Sequence, residues 1–147
     1  MRLPGFRLAS ALLLLAVLGC GDSPTEATGV DLTGTWTATA IVATNKANPS
    51  QTSNVYAGGL RFSVTFNANN SYTQTLTNPG SAPQIESGSY AATSTSVTFT
   101  RTSPSPITTT VLAFTRVGNV LTITSGDSMN DFGSGPVPAT LVATLSK

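Results

Sequence analysis

The sequence predicts an all-β domain, an eight-stranded antiparallel up-and-down barrel, preceded by an export signal and a short flexible tether. Three observations predict it. From residue 32 onward apolar and polar residues alternate with a period of two, the period of a half-buried strand, and little of this stretch carries helix spacing. The alternating runs are separated mostly by short clusters of Asn, Gly, Pro and Ser, the residues that tight turns require. Charged residues make up only 9% of the chain, against roughly 25% in ordinary globular proteins. Their place is taken by Thr, Ser and Asn, and Thr suits a solvent-facing strand through its β-branching and hydroxyl.

The first strand, Leu32–Val42, places Trp36, Ala38, Ala40 and Val42 on one face, opposite Thr35, Thr37 and Thr39. After the longest connection, Ala43–Gly59, the run Leu60–Phe66 alternates cleanly, with Leu60, Phe62, Val64 and Phe66 inward. Asn67–Asn70 reads as a hairpin turn, because Asn tolerates the left-handed backbone that such turns need. Tyr72–Thr77 follows and is broken by Asn78-Pro79-Gly80. Gln84–Ala91 is the next strand, in which Gly88 marks a bulge or bend. Ser96–Arg101 is closed by Ser103-Pro104-Ser105-Pro106, and Ile107–Arg116 leads through the tight turn Gly118-Asn119 into Val120–Thr124. A loop, Ser125–Pro138, precedes the last strand, Ala139–Leu145.

Strands of this number and spacing form either a sandwich or a barrel. Short hairpin-like links favour the meandering barrel, and closure removes the edges that an uncharged, Thr-rich sheet exposes to aggregation. The strands are too short, and their outer faces too hydroxylated, for a membrane-spanning barrel. Inside, large residues (Trp36, Phe66, Tyr72, Tyr90, Phe99, Phe114) fill most of the lumen. Ala38 and Ala40 leave space towards the mouth away from Trp36.

Composition excludes much chemistry. There is no His and a single Cys, so a Ser-His-Asp or Cys-His nucleophile and the usual zinc sites are unavailable. Seven basic residues without a cluster do not make a nucleic-acid surface. Glu86 is the only carboxylate within a strand, where acid–base catalysis needs two positioned groups. Asp127, Asn130 and Asp131 supply three side-chain oxygens without EF-hand spacing and read as an ordinary polar loop. The expectation is a monomer that is not an enzyme and takes no metal or cofactor.

At the N-terminus, Arg2 and Arg7 flank the start of an apolar run, Leu8–Leu18, too short to cross a bilayer but suited to a signal peptide. It ends in Val17-Leu18-Gly19-Cys20, which resembles a bacterial lipobox: an aliphatic residue, a small residue at the cut, then the cysteine that accepts lipid. As the only cysteine, Cys20 has no partner for a disulfide within the chain. The expectation is a signal peptide over 1–19, a lipidated Cys20 with a tether over 20–30, and the barrel over 31–147. Acyl chains on Cys20 make the membrane a partner. Gly21, in place of an Asp retention signal, points to the outer membrane, on its periplasmic or surface face, in a Gram-negative envelope.

Gly34-Thr35-Trp36 at the start of the first strand, with eight meandering strands after it, resembles the lipocalin-like families of bacterial lipoproteins. Val64-Thr65-Phe66 entering an Asn turn, Gly88-Ser89-Tyr90, Asn119–Thr124 and Asp131–Leu141 are further points of similarity. The resemblance implies that Gly34 and Trp36 close one barrel end, with Lys147 the candidate for the basic residue that packs on the Trp near the last strand. It also implies a small apolar ligand in a pocket formed from Ala38, Ala40, Phe62, Val64, Tyr72, Phe99 and Phe114. The alternative is a packed barrel serving as a protein-interaction, inhibitor or structural lipoprotein of the envelope.

Overall fold

In the computed structural model, which describes residues 29–147, the strands are β1 (Gly34–Asn45), β2 (Thr52–Asn54), β3 (Arg61–Phe66), β4 (Ser71–Thr77), β5 (Gln84–Ala92), β6 (Ser96–Ser103), β7 (Thr108–Val117), β8 (Val120–Asp131) and β9 (Pro136–Ser146). The expected signal peptide, Cys20 and all but the end of the tether lie outside the described residues. No helix occurs among the described residues. Strands β3 to β9 pair antiparallel in chain order, and β1 joins β3 on one side and β9 on the other. Eight strands therefore close into an up-and-down barrel. The ninth, β2, is a three-residue strand that pairs with Val42–Thr44 of β1, beyond Gly34–Thr37 where β3 pairs. Thr52-Ser53-Asn54 carries no apolar alternation, so only its pairing to β1 reveals it as a strand.

Two register shifts change which residues face the lumen. In β1 the pairing with β9 shifts between Ala38 and Ala40. An extra residue at a bulge reverses the alternation beyond it. Trp36 and Ala38 are buried before the bulge, and Ile41, Ala43 and Asn45 after it. This corrects the single face expected for Trp36, Ala38, Ala40 and Val42, since Ala40 and Val42 leave it and are only half-buried. In β8 a second shift lies between Ser125 and Ser128, after which Ser128–Asp131 pair with Pro136–Ala139. The expected loop Ser125–Pro138 is thus mostly hairpin, with a turn of only Phe132–Gly135. The Asp131 carboxylate organises that turn, accepting N–H bonds from Gly133 at 2.7 Å and Gly135 at 3.0 Å. Those two backbone donors hold its carboxyl below the ordinary Asp range, and the hairpin is built from Ser, Asp and Asn whose polar run hides the strand period.

Gly88 does mark an irregularity, for the β5–β6 register shifts between Ser87 and Gly88. Its α-carbon lies against the Thr100 carbonyl, leaving no space for a side chain. Asn70 takes the left-handed backbone expected of the Asn turn, with φ of 61°.

The core is concentrated at one end. Trp36 and Leu32 are buried there with Val64, Phe66, Leu121 and Leu145. Phe66 and Tyr90 meet edge to face at 4.7 Å, as do Tyr72 and Phe99 at 4.8 Å, geometries that aromatic quadrupoles favour. Val30, at the end of the expected tether, already packs against this core.

Candidate functional site

The aromatic layer is sealed by the segment that enters β1. The Trp36 indole N–H donates to the Leu32 carbonyl at 2.7 Å, satisfying its one donor without water. The guanidinium of Arg116 and the ammonium of Lys147 lie 5.4 Å and 5.6 Å from the Trp36 ring, within cation–π range. Each cation also ties down the incoming chain, Arg116 through the Asp31 carbonyl and Lys147 through the Thr33 carbonyl. Gly34 has φ of +120°, a backbone that side-chain-bearing residues rarely adopt, which accounts for glycine there, and the end of the Lys147 side chain runs past it. Lys147, a poor match by sequence for a basic residue on the Trp, does reach the ring. Arg116 was not anticipated, although its inward parity with Phe114 was the available signal.

At the other end the lining residues shrink. Beyond Trp36, β1 continues with Ala38, Ile41 and Ala43, while β9 offers Ala139, Leu141 and Ala143. The result is a cavity of about 530 Å³ between β1, β3, β4, β5, β7, β8 and β9. Its apolar wall is made by Ile41, Leu60, Phe62, Leu76, Leu112, Ile123, Leu141 and Ala143. Gln74, Glu86, Ser125, Asp127 and Ser128 supply its polar groups. A second hollow of about 480 Å³ shares Leu60, Leu76 and Leu141 and is bounded by the β2-bearing connection, Asn78-Pro79 and Met129-Asn130. The inner cavity falls within the range of roughly 300–1,000 Å³ over which proteins hold small molecules.

A polar network stands in the wall. Gln74, Glu86 and Arg101 come from the neighbouring strands β4, β5 and β6, with Gln74 and Glu86 directly paired. The Gln74 side-chain amide donates to Glu86 Oε2 at 2.8 Å, and Arg101 Nη1 donates to Glu86 Oε1 at 2.9 Å. Arg101 Nη2 donates to the Pro106 carbonyl at 3.2 Å, whereas its buried Nε has no partner. Behind this network lies a recess of about 100 Å³, bordered by Tyr72, Phe99, Arg101, Thr108 and Thr110. Burial pushes the Tyr72 phenol up, and Glu86 adds to the shift while Arg101 opposes it.

The expected pocket residues separate into groups. Phe62 lines the cavity, while Tyr72 and Phe99 border the recess behind it. Val64 and Phe114 belong to the packed layer beneath. Ala38 is buried on the inner face of β1 and borders a shallow hollow of about 150 Å³ between β1 and β3. Ala40 is off the inner face for the reason given above. Gln74 and Glu86 were missed as site residues, though alternation with Tyr72 and Tyr90 puts both inward. In the β8 hairpin, Asp127 pairs with Lys46 at 3.3 Å, and among the described residues no three Asp, Glu, His or Cys side chains gather as metal ligands.

The geometry is that of a barrel sealed at the tryptophan end and hollow at the other. Comparison of the chain with models of protein families, with curated proteins and with solved structures gives no match.

Proposed function

We infer that this chain is a lipid-anchored envelope lipoprotein, resembling the lipocalin-like families, whose barrel holds a small apolar ligand. The observation that supports binding is the cavity of about 530 Å³, walled mainly by aliphatic and aromatic side chains at the end of the barrel away from Trp36. A concave, mostly apolar hollow with a few convergent polar groups is the common form of a small-molecule site. Binding of single acyl chains or small aromatics in the micromolar range or weaker corresponds to about 8 kcal/mol at most.

An apolar, environment-sensitive fluorophore titrated into the full-length protein should gain intensity with one-to-one saturation. It should be displaced by medium-chain amphiphiles. Absence of saturable uptake overturns the binding reading and favours the interaction or structural alternative.

Anchoring is supported by the Val17-Leu18-Gly19-Cys20 pattern after its apolar run. Cleavage before Cys20 and acylation of its thiol place the barrel at the outer membrane of a Gram-negative envelope, on a short tether. Wild-type protein should then fractionate with membranes, whereas Cys20→Ser should remain as an unacylated, uncleaved precursor. An intact mass showing an unmodified Cys20 in the mature wild-type chain overturns the anchor.

A further inference from the structure

We propose that the cavity selects a primary amine carried on an alkyl or aromatic body, with the ammonium seated on Glu86. This rests on the reading of the cavity as a ligand site. The charged side chains that border it are acidic, Glu86 partly buried in the wall and Asp127 fully exposed at the rim. Their basic partners, Arg101 and Lys46, do not line it. Glu86 borders both the cavity and the small recess beside it, whereas Arg101 borders only the recess, so of this ion pair the carboxylate alone lines the cavity.

The uncharged polar groups point the same way. Gln74 spends one of its two side-chain N–H groups on Glu86 and keeps its carbonyl oxygen as an acceptor. The Ser125 and Ser128 hydroxyls are paired at 3.2 Å, which commits one of their two O–H donors. Each Glu86 oxygen accepts one bond within the protein, from Arg101 or Gln74, and a carboxylate oxygen has capacity for a second. An ammonium brings three donors and no acceptor, which matches the acceptor capacity left on Glu86 and on the Gln74 carbonyl oxygen. A carboxylate ligand meets like charge there, and apolar walls that exclude water strengthen both the attraction and the repulsion.

The test compares decylamine, decanol and decanoic acid at neutral pH, each displacing the fluorophore from the full-length protein. The three share an apolar chain and differ in the head group. Decylamine should bind roughly tenfold more tightly than decanol, the effect of one hydrogen bond to a charged group, with decanoic acid weakest. Displacement by all three with the acid equal to or tighter than the amine, or with amine and alcohol equal, overturns this proposal and leaves the ligand-site reading standing. Displacement by none of them removes the ligand-site reading itself. In Glu86→Gln the amine should lose its advantage and the preference should move towards decanoic acid, because Arg101 is left without its carboxylate. A persisting amine preference in that variant overturns the assignment to Glu86. Where the variant does not fold, the ranking in the unaltered protein decides.

Discussion

Trp36→Ala is expected to leave the barrel largely unfolded. The indole is fully buried, and truncating a buried Trp costs about 3–5 kcal/mol through lost transfer energy and the cavity left behind. That is a large part of the roughly 5–15 kcal/mol by which a domain is stable. The substitution also frees the Leu32 carbonyl and removes the ring beneath Arg116 and Lys147, so the incoming chain loses its attachment. Thr37→Ala, on the exposed face of the same strand, should shift stability by no more than about 0.5 kcal/mol. Urea unfolding followed by circular dichroism measures both, since the variant lacks the chain's only Trp. A Trp36→Ala midpoint close to that of wild type contradicts the sealing role.

Gly88→Ala should be nearly as damaging, although it adds a single methyl group. The new β-carbon would meet the Thr100 carbonyl and the backbone around it, not a side chain able to rotate away. Relief requires β5 and β6 to separate at the bulge where Gly88 pairs with Arg101. A loss of about 3 kcal/mol or more is expected, because overpacking against backbone is among the mechanisms of large single-residue effects. The separation would also displace Arg101 from Glu86 and so disturb the cavity wall. Ser89→Ala, on the exposed face next to it, should be close to neutral. Equal denaturation midpoints for the two variants would show that the strands can part without cost.

The barrel was legible because its strands announce themselves through large residues at alternate positions. Phe62, Val64 and Phe66 set one inner row, and Phe99 and Phe114 set others, so strand count and closure followed from parity and short turns. Parity fails where the chain bulges. One extra residue near Thr39 moved the inner face from Ala40 to Ile41, and no residue type in Ala38-Thr39-Ala40 signals a bulge. The β8–β9 hairpin was hidden differently, since Ser125–Asp131 pairs by backbone and by the Asp131 turn instead of by burial. The sequence places the space beside Ala38 and Ala40, but neither borders the cavity, and the small residue that does is Ala143, on the last strand. The cavity's polar side is hard to read because a single strand carboxylate such as Glu86 signals no chemistry until Gln74 and Arg101 are seen beside it.

Ala143→Phe tests the hollow end most directly. Ala143 lines the cavity between Ile41 and Ile123, its partners on the two adjacent strands, so a phenyl group there enters existing space. Fluorophore titration of wild type and Ala143→Phe, with unfolding midpoints to verify that both are folded, should give saturable uptake by wild type and none by the filled variant. Equal uptake by two folded proteins would place the dye elsewhere and contradict a ligand site inside the barrel.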